Sequence, residues 1–436
     1  MMPTNGQTLV SAANRSLTAP RGRRMLWPWY AAELAVSFSV ILAGTNVYYF
    51  ARYALHAPAA DLLWIAAGGG FTYMLGAFFG GRWVDRLGQR RVLQALALLN
   101  IPVFAVAVTG VLLGSLTLLM LHVALLNLFS AAMWPALESA LTRSPGRWRL
   151  TTRVTVYNLT WSTGAFLAFG ADGTLALWFS WAGVFLGSAL VMLLSWAMVR
   201  WWAIPQSWIG AEHVADDPRD QQESERVMRS APSLALLHMA WLANMLAFVC
   251  TNTVIPLMPA ITLADGLRSY AVATAVGSIW TWMRALGFAL AWLWTGWHYR
   301  VRWMLLFFGV LIVATEGLLL GRGLLALIGL QIIFGLAAAM LYSGSLYYSM
   351  HLGRGGGRNA GIHEALIGGG TVVGPALAAL AGPPDNLPSK AVAILLVLLC
   401  GALGMGLLAF RTRGLPVDSA AEAARQPAGR AESEPW

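Results

Sequence analysis

The chain has 436 residues, of which 58% are hydrophobic and only 11% charged. Soluble domains carry about 25% charged residues, so an ordinary water-exposed domain is excluded and a polytopic membrane protein is expected. The formal net charge of +10 would suggest nucleic acid in a soluble protein. Here the basic residues are spread among loops, which fits a topology signal and implies no nucleic-acid partner.

The first 26 residues are polar and basic, with Arg15, Arg21, Arg23 and Arg24. No separate apolar core with a small-residue cleavage site precedes the first span, so that span is expected to act as the insertion signal. A helix crosses a bilayer in about 20 apolar residues. On that measure spans are predicted over 29–52, 60–80, 91–113, 115–139, 153–171 and 175–200. A polar stretch from Ile204 to Ser230 follows, holding Asp216, Asp217, Pro218, Asp220, Glu223 and Glu225. Six further spans are predicted over 232–257, 269–295, 302–320, 323–350, 359–380 and 390–410. The expected architecture is an all-α membrane protein of twelve transmembrane helices in two six-helix bundles. Its parts are an N-terminal tail (1–26), a first bundle (27–202), a linker (203–231), a second bundle (232–412) and a C-terminal tail (413–436).

The loops alternate in charge. The tails and the loops near 82–91, 143–153, 200–229, 300–302 and 354–358 hold 24 of the 29 basic residues. The opposite loops hold only Arg52, Arg268, Arg322 and Lys390, and Arg284 falls in mid-span. Basic loops stay in the cytoplasm, so both termini are expected inside, with the chain in the plasma membrane (the inner membrane of a bacterium). Cys250 and Cys400 fall inside apolar spans, which gives neither a disulfide nor a metal site.

The two halves resemble each other. Thr45-Asn46 matches Thr251-Asn252, Ala131-Ala132-Met133 matches Ala338-Ala339-Met340, and Arg153 matches Arg358, all at nearly one offset. Parallel repeats related about the membrane normal are a transporter plan with the site near the midplane between them.

After the second span stands Gly81-Arg82-Trp83-Val84-Asp85-Arg86-Leu87-Gly88-Gln89-Arg90-Arg91. This resembles the loop 2–3 signature of the major facilitator superfamily, with Gln89 in place of the first of its later basic residues. Gly81 is expected to let helices pack closely, Gly88 to permit the turn, and Arg86 and Arg90 to hold the loop inside. Asp85 can accept hydrogen bonds from the free N–H groups at a neighbouring helix start. The resemblance implies that Gly81, Asp85, Arg86, Gly88 and Arg90 form a conformational gate in a secondary transporter with alternating access. The corresponding loop of the second half, Gly296 to Arg302, lacks the Asp. Gly370-Thr371-Val372-Val373-Gly374-Pro375 in the eleventh span resembles an element the family usually shows in the fifth helix. Small-residue packing with a Pro bend is the favoured reading.

Arg284 is the most informative buried candidate. Twelve residues from Gly296, it lies about 18 Å from the helix end, and a mid-membrane Arg should face a cavity or a partner. It is read as a receptor for an anionic or carboxylated solute, or as half of an internal ion pair. No acid is expected beside it at that depth. Trp280 lies one turn earlier. Polar stripes at helical spacing turn Glu33, Ser37, Thr45 and Tyr48 inward in the first span, Asn127, Ser130, Trp134 and Glu138 in the fourth, and Gln331, Gly335, Ala338, Tyr342, Ser345 and Ser349 in the tenth. The candidate solute-binding set is Arg284, Trp280, Asn46, Asn252, Tyr342, Ser345, Gln331, Asn127 and Trp134.

His363, Glu364 and Glu138 are candidates for proton coupling, although Glu364 could equally serve the helix-start dipole. Glu33 and Glu138 are expected to pair with loop arginines, Glu316 with Arg322, and Asp172 to sit in a tight outer turn. His363-Glu364 lacks the second His of a zinc motif, and the run Gly353 to Arg358 lacks the Gly-Lys-Ser/Thr of a phosphate loop. No enzyme, metal or cofactor is therefore expected. A monomer that binds lipid and a small-molecule substrate, with protons as a candidate co-substrate, is the expected form. Efflux of amphipathic compounds and a non-transporting sensor role are the alternatives.

Overall fold

The computed structural model describes residues 27–142, 150–201, 231–351 and 357–412. Within these, the helices are α1 (Trp27–Tyr53), α2 (Ala59–Leu87), α3 (Gln89–Leu112), α4 (Leu116–Thr142), α5 (Leu150–Trp201), α6 (Ala231–Ala264), α7 (Tyr270–Gly277), α8 (Ile279–Leu293), α9 (Val301–Leu320), α10 (Leu324–His351), α11 (Gly357–Leu380) and α12 (Leu387–Arg411). Ten helices among the described residues are long and apolar enough to cross a membrane. Large apolar side chains stand exposed around the outside, among them Leu112, Trp178, Leu325 and Leu407. On a soluble protein such a surface would aggregate; in a bilayer it meets lipid tails.

Two elements depart from one helix per span. Helix α5 has 52 residues, about 78 Å if straight, far more than a bilayer core of about 30 Å. It breaks at Ser180, whose backbone is non-helical (φ 64°, ψ 166°). The Ser180 hydroxyl accepts a hydrogen bond from the Gly183 N–H at 3.3 Å, a cap for the helix that restarts there. The break therefore lies several residues beyond the turn expected around Asp172. Asp172 is instead fully buried, beside Tyr270 and Thr45. The Gly-Ala-Asp-Gly sequence that reads as a turn serves close contact between helices: the Gly173 N–H donates to Thr274 Oγ1 at 3.1 Å.

Helices α7 and α8 meet at an interruption beside Ser278, and neither alone is long enough to span. Interrupted backbone is tolerated at membrane depth only where its polar groups find partners inside the protein. Gln331 supplies them. Its Nε2 donates to the Val276 carbonyl at 3.0 Å, and its Oε1 accepts from the Trp280 N–H at 3.4 Å.

Buried apolar residues fall mainly into two clusters, one dominated by α1–α5 and the other by α6–α12. Small residues allow the tightest crossings. At Gly80 an added Cβ would stand 2.6 Å from the Ala132 Cα, and at Gly76 it would strike the Leu128 carbonyl. A Cβ at Gly81 would meet nothing, so the close packing expected of Gly81 belongs to its neighbour Gly80, about 100° away around the helix. Gly370 and Gly374 of α11 lie against the α6 backbone at Met245 and Val249, the packing favoured for that motif.

On the arginine-poor face the two clusters are tied together. Arg52 Nη1 pairs with Asp385 Oδ1 at 2.9 Å, and that same oxygen accepts from the Ala59 N–H at 3.0 Å. Tyr53 donates to the Leu267 carbonyl at 2.8 Å and Tyr49 to the Ala273 carbonyl at 3.2 Å. Arg322 donates to the Leu319 and Gly321 carbonyls and makes no ion pair with Glu316 among the described residues, contrary to expectation. An exposed Arg gains more from capping free helix-end carbonyls locally.

Candidate functional site

A central cavity of about 230 Å³ is lined by 28 residues. They come from α1, α2, α4 and the first part of α5, and from α6, α8, α10 and α11. Both clusters thus contribute walls. The third, ninth and twelfth helices contribute none.

Arg284 of α8 lines this cavity and is 7% exposed. Its guanidinium carbon stands 4.5 Å from the centroid of the Trp161 ring. Phe248, Tyr342, Trp280 and Phe288 follow at 5.5, 5.6, 5.8 and 5.9 Å. Five rings within 6 Å surround the cation, so contacts made at its N–H groups act in a low-dielectric setting. Trp161 is itself oriented, since its Nε1 donates to Asn158 Oδ1 at 3.2 Å. Arg284 makes no ion pair among the described residues, and its Nε is buried without a hydrogen-bond partner. Three other cavity residues share that condition: the hydroxyls of Ser37 and Ser130 and the indole nitrogen of Trp280.

An acid reaches the same cavity. Glu364 of α11 lines it and accepts a hydrogen bond from Tyr73 of α2 at 2.7 Å. Glu364, a candidate for proton coupling, thus belongs to the cavity wall, while no acid pairs with Arg284 among the described residues. Glu364 lies two turns inside α11, at a depth where that helix faces the cavity. Glu33 is also fully buried, beside Tyr157, where a pairing with a loop arginine was expected. Glu138 is buried nearby.

Residues 29–238 match the sequence profile of the Major Facilitator Superfamily. That stretch, just under half of the chain, is similar to the superfamily. No curated protein matches it. Among solved structures it resembles the nucleoside transporter NupG (10% identity, TM-score 0.62, covering 88% of this chain and 99% of that one). It also resembles the peptide transporter POT in complex with sulfate (15% identity, TM-score 0.65, 89% and 95%). A bacterial homologue of the human lysosomal transporter Spinster, in an inward-facing and unoccupied conformation, is a third (12% identity, TM-score 0.61, 90% and 97%). At these identities the likeness establishes the fold: this is a multi-pass membrane protein with a major facilitator fold.

Within this fold the residues singled out from sequence divide. Arg284, Trp280, Asn252, Tyr342, Asn127 and Trp134 line the cavity. Asn46, Gln331 and Ser345 do not. Asn46 Nδ2 donates to the Trp181 carbonyl at 3.1 Å, Gln331 braces the α7–α8 interruption, and Ser345 Oγ meets His363 Nδ1 at 2.9 Å. His363 is fully buried with its ring against Tyr342, centroids 5.2 Å apart.

In the superfamily's loop motif, Gly88 makes the turn at φ 84° and its N–H donates to the Val84 carbonyl at 2.9 Å. Arg90 donates to the carbonyl of Arg200. Asp85 and Arg86 are exposed. Asp85 is expected to dock around Asn359 to His363; of that stretch the side chains of 359–361 lie outside the described residues, as do those of Arg153 and Arg358. Trp161, Tyr73, Tyr157 and Phe248 were not anticipated as lining residues. A lone aromatic in an apolar span carries no signal that separates lipid, core and cavity.

Proposed function

We propose that this protein is a secondary active transporter that moves a small anionic or carboxylated solute by alternating access. The reading has twelve spans, with α5 counted as two about Ser180 and α7 with α8 as one. Two bundles (27–202 and 232–412) rock about the central cavity, and both termini are in the cytoplasm of a cell whose inner membrane holds the chain. The observation that carries the solute class is Arg284: a buried cation facing the cavity, free of any acid among the described residues, with an unpartnered Nε. An unpaired charge at that depth is costly unless its task supplies a partner.

Proton coupling is part of the same proposal, with Glu364, Glu138 and His363 as its groups. Glu364 shares the cavity with the solute, and Tyr73 is the side chain that would follow its protonation. The loop motif at Gly81, Asp85, Arg86, Gly88 and Arg90 is the gate on the cytoplasmic side. The ties on the arginine-poor face, led by Arg52–Asp385, favour assigning this conformation as closed to the outside.

Amphiphile efflux is the second reading, favoured by the aromatic lining. Its weakness is size, because drug-sized ligands occupy about 300–1,000 Å³ and this cavity holds about 230 Å³. Purified protein in proteoliposomes decides between them. Uptake of radiolabelled small carboxylates that rises with an imposed proton gradient is expected, and transport of neutral or cationic amphiphiles alone would sink the anion reading. Flux of neither class would favour a non-transporting role. Reporter fusions after Pro58 and Pro218 should report opposite sides of the membrane; the same side for both would overturn the topology.

A further inference from the structure

We infer that the solute is an aromatic monocarboxylate: one planar ring bearing a single negative charge. The inference rests on the anionic-solute reading and deepens it. Nine of the 28 lining residues are aromatic, about three times the 11% of the whole chain. Ligand pockets are lined mainly by apolar and aromatic side chains, and this wall has that character. Trp161, Trp280 and Tyr342 stand around the guanidinium at 4.5, 5.8 and 5.6 Å. Ringed by aromatics and with its Nε unpartnered, Arg284 meets a solute best through its N–H groups, which match the plane of a carboxylate. A carboxylate held in that plane directs the group attached to it away from the cation and among the remaining rings. A flat ring there gains offset or edge contacts that an aliphatic body of equal size does not.

The charge count sets the second limit. Among the described residues Arg284 is the one arginine or lysine lining the cavity, and the one acidic residue there is Glu364. A second carboxylate on the solute would have no cation to meet, and burying an unpaired carboxylate is strongly unfavourable. The carboxyl of Glu364, already accepting from Tyr73 at 2.7 Å, adds an acceptor where a second anion would need donors. The volume of about 230 Å³ suits a one-ring solute better than a fused polycycle.

The test is calorimetric titration of the purified full chain in lipid nanodiscs, with four probes at one pH and salt: benzoate, cyclohexanecarboxylate, benzamide and isophthalate. Benzoate is expected to bind. Cyclohexanecarboxylate should bind about 3- to 10-fold more weakly, the range of one aromatic contact. Benzamide and isophthalate should each be weaker than benzoate by at least about 30-fold, the first for lack of charge and the second for its extra charge. Trp161→Leu should narrow the benzoate to cyclohexanecarboxylate ratio to under about 2-fold, an internal ratio that loss of folded protein cannot mimic. Equal affinity for benzoate and cyclohexanecarboxylate overturns the aromatic assignment and leaves the anion reading standing. Isophthalate binding as tightly as benzoate overturns the single-charge assignment. Benzamide binding as tightly as benzoate, or no binding of any carboxylate, overturns the anion reading beneath both.

Discussion

Replacing Arg284 with methionine separates what the guanidinium does for the solute from what it does for the fold. An arginine near the middle of a membrane helix costs about 2.5–3.5 kcal/mol to insert. Part of that is offset by the desolvated stack on Trp161, 4.5 Å from the ring centroid, at about 2 kcal/mol. No acid pairs with Arg284 among the described residues, so a net cost of about 1 kcal/mol remains on this reckoning. Methionine is flexible, apolar and favourable beside aromatic rings. Arg284→Met should therefore hold Tm steady or raise it by a degree or two, since about 1 kcal/mol moves a large domain by about 2 °C. The solute loses far more. Two charge-assisted hydrogen bonds at about 1.5–3 kcal/mol each correspond to a fall in affinity of about 10²- to 10⁴-fold. Arg284→Lys keeps the charge without the planar fork and should fall between, about 10- to 100-fold weaker. Thermal unfolding of purified protein and benzoate titration measure the two effects side by side. A drop in Tm of several degrees would show the guanidinium to be structural, and unchanged benzoate affinity would refute its role in recognition.

The tie between Arg52 and Asp385 is partly exposed, with side chains 21% and 55% accessible, so it contributes about 0–1 kcal/mol. Asp385→Asn should raise labelling from outside of a cysteine at Gly44, where a Cβ meets nothing, by up to about 5-fold, in a background with Cys400 replaced; unchanged labelling argues against a latch. Asp85→Asn should shift the same label toward inward access if Asp85 docks on the start of α11 in the outward-open state, by an amount set by a contact of about 0.3–1 kcal/mol. Gln331→Leu strips partners from the Val276 carbonyl and the Trp280 N–H and should lower stability by about 1–3 kcal/mol, read as a lower Tm; an unchanged Tm would mean that the interruption needs no brace.

Much of the cavity wall is legible in sequence, because a polar stripe at helical spacing cannot face lipid. In the first and fourth spans that rule turns eight residues inward, and six of them, Ser37, Thr45, Tyr48, Asn127, Ser130 and Trp134, line the cavity, while Glu33 and Glu138 are buried outside its lining. It fails where the same composition serves two purposes. Gly170 to Gly173 reads as a turn, yet small residues beside a buried Asp also describe two helices in close contact, as α5 and α7 are here. Gln331 is polar, buried and on the expected face, but nothing local separates a ligand-binding amide from one that satisfies interrupted backbone 51 and 55 residues away. Gly81 and Gly80 differ by one position, which on a helix is about 100° of rotation and the whole distance between a contact and open space. Tyr73 and Glu364 are 291 residues apart, and their meeting depends on the pairing of α2 with α11, which no periodicity encodes.

The cavity's polar groups are of two kinds: some, such as Asn127 and Asn252, donate to carbonyls of their own helix, and others have no partner. In a bilayer an unmet donor has no water nearby to turn to, so a buried polar side chain without a partner is costly wherever it serves nothing. Asn46, Gln331 and Ser345 have protein partners, and none of them lines the cavity. Ser37, Ser130, Trp280 and Arg284 each carry a buried atom without one, and all four line it. The two serines stand on α1 and α4 and the other two on α8, so the unmet groups are divided between the two clusters. That division matters for alternating access. A solute shifts a conformational equilibrium only by its difference in affinity between states. One held wholly by α8 would ride with its bundle and bias nothing. One that spans from Arg284 to the serines gains its full set of contacts only while both walls are close, so binding itself would favour the closed arrangement from which the opposite side can open.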